Sequence, residues 1–578
     1  MSTKCIQSRT VPDAHRLSPD AGMHPLLRRI YAARRAVDAE LERSLSDLHA
    51  PGLLKGLDTA VDLLEAALRQ QQHILVVGDF DADGATSSAL VVASLREMGA
   101  SRVDYLVPDR FRFGYGLTPE IVDVALQQKP DLLITVDNGI SSIEGVARAQ
   151  EAGVRVLVTD HHLPGERLPA ADAMVNPNQP GDNFPSKALA GVGVAFYLVM
   201  ALRSRLRDTG WFTQQDIAEP NLASYLDLVA LGTVADVVPL DSNNRLLVRQ
   251  GLRRIRAGHC RPGIRALLEV AGRNISRVIA ADFGFAAGPR LNAAGRLDNM
   301  SLGIECLLSE SMQQATGLAQ ELDALNRERR EIEADMKADA NRLLEAMSLD
   351  SDDLPAGFCL YDTGWHQGVI GILASRIKEQ FHRPVIVFAD AGEGELKGSA
   401  RSIPGLHIRD VLDAVAARHP DVLNRFGGHA MAAGLSLEAS RLDDFRQAFL
   451  AELAQQLDEM ALTGVLETDG ELAPEDFSLE LSELLRDAGP WGQGFPEPLF
   501  DGLFQVVSRR VVGERHLKLS LRPETGGPIV DAIAFSQVER FVPAVGDRVR
   551  AVYRLDSNEY RGMLNLQLVV EWMEPAEA

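Results

Sequence analysis

Three short apolar runs, each followed closely by a carboxylate, constrain this chain more than any other feature. The runs cover residues 74–77, 132–136 and 156–158. They are short, continuous and rich in branched aliphatic side chains, which is typical of strands buried on both faces of a parallel sheet. Segments with helical spacing separate them. The pattern therefore predicts right-handed βαβ units and an α/β fold with a doubly wound parallel sheet.

Acidic and histidine residues follow these runs in three clusters, and a fourth lies farther along the chain. They are Asp79, Asp81 and Asp83; Asp137; Asp160, His161 and His162; and Asp236. Carboxyl ends of parallel strands meet at one edge of a sheet, where open α/β proteins carry their active sites. Each cluster alone could be a turn, a helix cap or ordinary polar residues. Together they predict a site at which a shared carboxylate holds two metal ions ~3.5–4 Å apart.

The ligand types indicate which metals are expected. Hard divalent cations prefer carboxylate oxygens, and imidazole nitrogen shifts the preference towards transition metals. The mixed set therefore favours Mn²⁺ or Mg²⁺ over calcium. The segment 78–86 resembles a phosphate loop only superficially, because it lacks the Gly-Lys-Ser/Thr ending that binds nucleotide phosphates. ATP hydrolysis is not indicated.

The periodicity changes along the chain and predicts five regions. Residues 1–50 form a polar tail and a helical segment, and 51–312 form the α/β domain with the acidic clusters. Residues 313–348 form one amphipathic connector helix, ~50 Å long at ~1.5 Å per residue. Residues 349–460 form a smaller α/β domain with two predicted glycine loops, 398–402 and 427–430. Residues 461–578 alternate strictly in places, for example over 516–521, which favours a small OB-like β-barrel.

Composition excludes several classes of protein. The chain has 578 residues, 46% of them hydrophobic, which excludes a disordered protein, and its net charge of −22 argues against binding nucleic acid by bulk attraction alone. The four cysteines lie far apart and lack zinc-site spacing, as expected of reduced thiols. No run is apolar over the ~20 residues of a membrane span, and residues 1–20 lack the apolar core of a secretion signal. We therefore expect a cytoplasmic protein.

An ordered series of motifs resembles the DHH phosphoesterase superfamily. Within it, the resemblance is to the bacterial exonucleases that degrade single-stranded DNA from the 5′ end, and it covers nearly the whole chain beyond the tail. The motifs occupy 78–88, 108–116, 135–142, 158–164, 190–193, 232–240, 288–297, 365–371 and 427–434. The resemblance implies that 349–460 is a DHHA1 domain and that the terminal barrel binds nucleic acid.

The resemblance also implies roles for the acidic clusters. Asp79, Asp81 and Asp137 hold one metal ion, and Asp83, Asp137, His161 and Asp236 hold the other, with Asp137 as the bridge. Asp160 orients the neighbouring histidine, and His162 contacts the scissile phosphate or the leaving oxygen. No side-chain nucleophile is needed, because the two metals activate water.

Several residues in the matching segments are candidates for substrate binding. Arginine suits phosphate because its guanidinium fork matches two oxygens, and aromatic rings stack on bases of any sequence. The candidates are Arg110, Tyr115, Arg290, Asn292, Arg296, Ser399, Arg401 and His429. The arginines lie in segments flanked by Gly or Pro, which predicts positions off regular helical faces. Each could instead pair with a carboxylate, and His429 could touch the substrate or only brace its loop.

The hypothesis is a Mn²⁺- or Mg²⁺-dependent exonuclease that releases 5′-mononucleotides from single-stranded DNA in recombination and repair. The resemblance implies a single-strand-binding protein and a DNA helicase as partners, and we expect a monomer. One alternative is a DHH phosphodiesterase for short oligonucleotides or cyclic dinucleotides, or a pyrophosphatase; the extra barrel and connector argue against it. The other is an inactive replication scaffold, against which the intact carboxylates argue.

Overall fold

The structure is a computed structural model that describes residues 4–12, 17, 22–41, 43–346, 354–457, 462–538, 540–560 and 562–576. The side chains of Leu41, Arg110, Phe111 and Tyr560 lie outside this description. The chain divides into two compact units. The larger unit comprises Ser8–Ala324 and Thr468–Ala578, and the smaller unit comprises Met1–Gln7 and Leu325–Glu467.

The strands are numbered in chain order. They are β1 (Lys4–Ser8), β2 (His73–Gly78), β3 (Arg102–Leu106), β4 (Leu132–Val136), β5 (Arg155–Thr159), β6 (Ala173–Val175), β7 (Phe358–Tyr361), β8 (Val385–Gly392), β9 (Glu395–Arg401), β10 (Arg425–Gly428), β11 (Ala432–Glu438), β12 (Gly464–Thr468), β13 (Phe500–Val512), β14 (His516–Pro523), β15 (Val530–Ala534), β16 (Arg548–Tyr560) and β17 (Met563–Pro575).

The helices are numbered in the same way. They are α1 (Pro25–Ala33), α2 (Asp38–Leu41), α3 (Leu57–Arg69), α4 (Ala82–Glu97), α5 (Arg110–Phe113), α6 (Pro119–Leu126), α7 (Ile143–Glu151), α8 (Gly191–Asp208), α9 (Trp211–Gln214), α10 (Leu226–Ala235), α11 (Ser242–Arg256), α12 (Pro262–Val270), α13 (Ala280–Asp282), α14 (Gly288–Leu297), α15 (Ser301–Leu308), α16 (Met312–Ala346), α17 (Ile370–Phe381), α18 (Ile408–Arg418), α19 (Leu442–Gln456) and α20 (Leu479–Asp487). A π-helical segment, Phe283–Ala287, precedes α14. Within the described residues, every helix is too short or too polar to cross a lipid bilayer.

A parallel sheet forms the core of the larger unit. Its strand order is β3-β2-β4-β5-β6, and every neighbouring pair is parallel. All residues of β2 and β4 are buried, because helices cover the sheet on both faces. The predicted α/β fold with a parallel sheet is confirmed. The short edge strand β6 was not predicted, since three residues carry too little periodicity to be detected.

The C-terminal part of the larger unit is a closed barrel with strand order β13-β14-β15-β17-β16. Leu517, Leu519 and Leu521 point inwards from β14 and are fully buried, as their alternation predicted. The alternation predicted for 564–570 is only partly present. Leu564 and Leu566 are half-buried, whereas Leu568 to Val570 are all buried. The OB-like barrel itself is confirmed.

The smaller unit contains a mixed sheet with strand order β10-β11-β9-β8-β7. The predicted glycine loop at 398–402 is wrong, whereas the one at 427–430 is half right, because His429 and Ala430 lie in the turn between β10 and β11. Gly398 to Arg401 belong to β9, and Gly427 and Gly428 belong to β10. Gly398 fits a strand interior because the ring of Phe388 and the side chain of Leu435 fill the space that its own side chain would occupy.

The predicted connector helix is α16, a helix of 35 residues. The division between the two units falls within it, between Ala324 and Leu325. In the part that belongs to the smaller unit, Met336, Ala340 and Leu344 pack into a hydrophobic cluster with Leu373 of α17. Their spacing of four residues makes this face of the helix apolar, as the sequence pattern predicted.

The first strand of the chain was not predicted, because residues 1–20 read as a polar tail. Strand β1 pairs with β12, so that Lys4–Ser8 and Gly464–Thr468 form a two-stranded sheet. Its sequence has two adjacent apolar residues, Cys5 and Ile6, and no alternation of apolar and polar residues, which explains why periodicity did not reveal it.

Candidate metal centre

The parallel sheet brings three of the four acidic clusters to one edge. Asp79 follows β2, Asp137 follows β4, and Asp160 follows β5. Asp236 reaches the same place from another direction, because it caps the C-terminus of α10. The carboxyl ends of adjacent parallel strands coincide, so these side chains converge without any special loop.

His161 lies at the centre of the cluster. Its Nε2 is 3.0 Å from Oδ1 of Asp137 and 3.4 Å from Oδ2 of Asp236. The distance from the same nitrogen to Oδ2 of Asp83 is 4.0 Å. Three groups have ligand atoms within 4.8 Å of one another: Asp79, Asp81 and Asp137; Asp83, His161 and Asp236; and Asp137, His161 and His162. Asp137 therefore belongs to two of the three groups.

The three aspartates of the first cluster differ in their surroundings. Asp81 caps α4, and its Oδ1 accepts hydrogen bonds from the amides of Asp83 and Gly84. Asp83 is fully buried and accepts hydrogen bonds from the amides of Gly191 and Val192, at 2.7 and 3.0 Å. The N-terminus of α8 thus holds the Asp83 carboxylate in place.

Asp137 depends on a close approach of the backbone of α8. A Cβ atom added at Gly191 would lie 2.7 Å from Oδ1 of Asp137, so only glycine leaves room for this carboxylate. Asp137 itself has φ 61°, the left-handed region that Asp adopts more readily than bulky residues. Its amide donates to the carbonyl oxygen of Thr159, which links the ends of β4 and β5.

Burial and mutual repulsion disturb the acids strongly. Burial and the charge of Asp81 raise the pKa of Asp83 to about 7. Burial and the neighbouring carboxylates, Asp83 first among them, raise the pKa of both Asp137 and Asp236 well above the usual range. Such crowding of carboxylates in a buried site calls for cations.

The residues present fit divalent metal ions. Oδ1 of Asp137 is buried, and although His161 Nε2 lies 3.0 Å away, the angles are not those of a hydrogen bond among the described residues, so an oxygen ligand is available at the centre of the cluster. The donor set combines several carboxylates with one imidazole, the chemistry that suits Mn²⁺ and Mg²⁺.

His162 takes part in a separate chain of hydrogen bonds. Its Nδ1 lies 2.7 Å from Oδ1 of Asp160, and the Tyr115 hydroxyl lies 3.1 Å from the same nitrogen. Burial alone would lower the pKa of His162, but the hydrogen bond and the charge of Asp160 outweigh it and raise that pKa. Asp160 thus orients the ring of His162. From His161 it accepts a hydrogen bond only from the backbone amide, so it does not orient that ring.

Sequence reasoning missed two asparagines that hold the histidine pair. Asn176 donates to the carbonyl oxygen of His162, and Asn178 donates to that of His161. They follow β6 in the segment Asn176-Pro177-Asn178. This polar segment after a short apolar run was the available signal, but β6 itself was not recognised.

Three substrate candidates of the larger unit lie on α14, not off regular helices as predicted. The buried Arg290 pairs with Asp323 at 2.7 Å and donates to the carbonyl oxygen of Ala286. Asn292 accepts from the amide of Ala82 at 2.8 Å and so fixes the start of α4. Arg296 is half-buried in the last turn. Helical positions for these residues arise because Gly288 and Pro289 begin α14 and do not interrupt it.

Two further candidates lie nearer the start of the chain. Tyr115 is 49% exposed and its ring packs edge-on against Phe80. Arg110 begins α5, again a helical position, and its side chain lies outside the described part of the structure.

The candidates of the smaller unit form a group of their own. Arg401 donates to Oγ of Ser399 at 3.1 Å and to the carbonyl oxygen of Ala400 at 2.8 Å. Burial lowers the pKa of Arg401. A Cβ atom added at Gly371, in the first turn of α17, would lie 2.8 Å from Nη2 of Arg401, so glycine keeps this space open. His429, on the hairpin between β10 and β11, is exposed.

Three protein-family models match successive parts of the chain. The DHH family N-terminal domain matches residues 73–233, the DHHA1 domain matches 355–455, and the RecJ OB domain matches 468–572. The first match contains seven of the eight residues of the acidic and histidine clusters, all but Asp236. The second contains Ser399, Arg401 and His429.

Individual relatives extend the match over nearly the whole chain. The single-stranded-DNA-specific exonuclease RecJ of Dickeya dadantii is 57% identical over 571 residues, which cover 98% of this chain and 99% of the relative. The crystal structure of RecJ from Thermus thermophilus in complex with Mn²⁺ has a TM-score of 0.79 at 32% identity and covers 99% of this chain and 79% of that chain. The corresponding complex with Mg²⁺ has a TM-score of 0.74 at 31% identity, covering 99% and 78%. This chain therefore belongs to the RecJ family.

Proposed function

We propose that this protein is a Mn²⁺- or Mg²⁺-dependent exonuclease that degrades single-stranded DNA from the 5′ end to 5′-mononucleotides. The observation that carries the proposal is the convergence of buried carboxylates and His161 around Asp137. Membership of the RecJ family supports single-stranded DNA as the substrate. Recombination and repair are the processes in which such an activity is used.

Two of the three groups of neighbouring ligand atoms support the proposed division of ligands, and the closeness of Asp137 to His161 supports adding Asp137 to the second. Asp79, Asp81 and Asp137 would hold one ion. The other would be held by Asp83, Asp137, His161 and Asp236, with Asp137 shared. Bound at such a site, two divalent ions activate water and stabilise the charge that develops on a phosphate. The amides of Gly191 and Val192 keep Asp83 in position for this role.

His162 has the geometry of a group that contacts the phosphate or the leaving oxygen. Asp160 holds its Nδ1, which fixes the ring and leaves Nε2 to donate towards the substrate. The Tyr115 hydroxyl, 3.3 Å from that Nε2, borders the same space, and its half-exposed ring is available for base stacking. Asp160 is accordingly a positioning residue, which acts through His162.

Arg401 and Ser399 are proposed to bind the terminal 5′-phosphate. Arg401 is mostly buried, and among the described residues it faces carbonyl and hydroxyl oxygens but no carboxylate. A buried guanidinium without a carboxylate has a strong preference for a phosphate. Arg110, Arg296 and His429 remain candidates for further contacts. Arg290 contributes through its ion pair with Asp323, which supports α14.

The remaining expectations from the sequence are part of the same proposal. They include the domain limits 51–312, 313–348, 349–460 and 461–578, a cytoplasmic monomer, and partnership with a single-strand-binding protein and a DNA helicase. The succession of the family-matched segments along one chain supports a single polypeptide that both cleaves and holds its strand.

A digestion of end-labelled DNA tests the proposed function. With Mn²⁺, a 5′ label is expected to appear at once as mononucleotide, while a 3′-labelled strand shortens progressively. Duplex DNA with blunt ends is expected to react far more slowly. The Asp137→Ala variant serves as the inactive control. A ladder from the 5′-labelled strand would reverse the polarity, and equal rates on duplex and single strands would remove the strand specificity.

A further inference from the structure

The larger unit contains a cavity of about 620 Å³ that none of the roles above uses. Its walls come from the end of α10, from α11, from the π-helical segment, from residues 482–498 and from β16 of the barrel. The volume lies in the ~300–1,000 Å³ range of ligand sites. The barrel and the α/β domain therefore enclose a binding space within one compact unit.

Large apolar side chains face this cavity and remain exposed. Phe285 is 76% exposed and Val237 is 63% exposed. Phe285 projects from the π-helical segment, a distortion that is frequent at functional sites. Behind them, Leu252 and Leu485 form a buried apolar floor. An exposed aromatic ring above an apolar floor is suited to stacking against a flat group such as a nucleobase.

The charged residues of the cavity leave a positive surplus. Three arginines face three carboxylates: Arg256 with Asp487, Arg554 with Glu497, and Arg486 with Asp556. Two further arginines, Arg249 and Arg253, add positive charge. Arg249 donates to the carbonyl oxygen of Arg43 at 2.9 Å. The exposed guanidinium of Arg253 contacts no partner among the described residues, so it is available to a phosphate.

The cavity is connected to the metal centre through the backbone. Val237 directly follows Asp236, and its φ of 62° lies in the left-handed region, which is strained for a β-branched residue. The strained turn directs Asp236 to the metal ligands and Val237 to the cavity. Strain of this kind persists where a ligand or substrate is handled.

We propose that this cavity is a subsite for single-stranded DNA, in which a nucleobase stacks on Phe285 against Val237 and an adjoining phosphate contacts Arg253. The inference rests on the proposed function, because it extends the strand from the metal centre to the barrel. The cavity offers an apolar surface, formed by Phe285 and Val237, and the guanidinium of Arg253. These two features match the base and the phosphate that alternate along a single strand. Stacking is tolerant of sequence, so the subsite holds any strand.

Binding measurements separate the two contacts. An Asp137→Asn background prevents cleavage, and the anisotropy of a labelled strand of about 20 nucleotides reports affinity. Phe285→Ala is expected to weaken binding about tenfold without changing its salt dependence. Arg253→Ala is expected to make the log–log salt slope shallower by about 0.7, the value for one lost phosphate contact on a single strand. Arg254→Ala, the neighbouring arginine of α11 outside the cavity, is the matched control.

Kinetic measurements separate the subsite from the metal centre. In the otherwise wild-type protein, Phe285→Ala with Arg253→Ala is expected to raise KM for the long strand about tenfold. Hydrolysis of a dinucleotide, too short to span both places, is expected to stay within twofold. Phe285→Leu and thermal melts check that the fold is intact. Equal losses on both substrates would mean damage to the metal centre and overturn the subsite.

A photo-crosslinking series gives a direct map. Strands with 5-iodo-deoxyuridine at successive positions are expected to crosslink to Phe285 from one narrow register. An absence of any Phe285 crosslink would overturn the proposal. The proposal would also be overturned if Phe285→Ala left the DNA affinity unchanged but abolished binding of an acidic, leucine-containing peptide. The cavity would then be a protein-docking surface. If the wild-type protein bound DNA but degraded none, the proposed function would fail while the subsite stood.

Discussion

The two sheets of this protein carry their functional candidates in opposite ways. In the larger unit, Asp79, Asp137 and Asp160 lie just beyond parallel strands, and burial concentrates negative charge that requires cations. In the smaller unit, Ser399 and Arg401 lie inside the antiparallel strand β9, and burial isolates a positive charge that requires an anion. Each unit alone leaves its charge uncompensated. The metal ions and the DNA phosphate proposed above would compensate the two charges.

The largest expected effect concerns the shared carboxylate of the acidic site. Asp137→Ala is expected to lower the Mn²⁺-dependent rate on single-stranded DNA by roughly 10³-fold or more, because both proposed ions lose a ligand. Asp208→Ala, an exposed aspartate at the end of α8, is the control. Substantial activity in the Asp137 variant at saturating Mn²⁺ would show that this carboxylate is not shared.

The next effect compares glycines of the two units. Gly191→Ala places a Cβ atom against Asp137, so we expect a loss of roughly 100-fold together with weaker Mn²⁺ binding, on the scale of losses from residues that orient metal ligands. Gly427→Ala in β10 meets nothing within 4 Å and is expected to leave metal affinity unchanged. Calorimetric titration of Mn²⁺ checks both. Equal affinities in the two variants would contradict the close-approach argument.

A smaller effect tests the anion site of the smaller unit. Arg401→Ala is expected to raise KM about tenfold for a 5′-phosphorylated strand, because the guanidinium fork is lost. A 5′-hydroxyl strand is expected to bind the variant and the parent with similar affinity. Arg425→Ala, an exposed arginine of β10, is the control. A loss of the same size on both kinds of strand would assign Arg401 to support of the sheet.

The smallest effect is on stability without metal. The folded pKa of Asp83, about 7, exceeds the unfolded value of ~4, so its contribution to the free energy of unfolding is complete below pH ~4 and is lost as the pH rises to 7. The thermal midpoint of EDTA-treated protein is therefore expected to fall by at least ~2 °C between pH 5.5 and pH 7.5. Added Mn²⁺ is expected to restore it. Asp137→Asn, which removes one repelling charge, is expected to melt higher than the metal-free parent at pH 7.5.

The parts of the fold that could be predicted from the sequence are those with a regular pattern of apolar residues. Continuous apolar runs located β2, β4 and β5, and strand-end geometry then placed Asp79, Asp137 and Asp160 together. Asp236 was included as the fourth acidic position, but its assignment to a particular metal ion came from the resemblance, because a residue that caps a helix carries no periodic signal. Strand β9 was mistaken for a loop because its glycine suggested a turn, although neighbouring side chains fill that space.

Contacts between distant segments were beyond the reach of the sequence. The ion pair of Arg290 with Asp323 and the exposure of Phe285 depend on how α14 and the π-helical segment pack. Phe285 lies in the apolar segment Phe283-Gly284-Phe285-Ala286-Ala287, which resembles the interior of a buried helix. Phe285 lies two residues after Phe283, on the opposite side of the π-helical segment, so its ring is exposed while Phe283 stays buried.

The pairing of β1 with β12 has a consequence for synthesis on the ribosome. Lys4–Ser8 is synthesised long before its partner Gly464–Thr468. At ~5–20 residues per second, the first strand waits for roughly half a minute to a minute and a half with its hydrogen-bonding edge open. Such an edge can pair with other nascent chains. The polar composition of residues 1–20 is of the kind that makes such pairing less favourable.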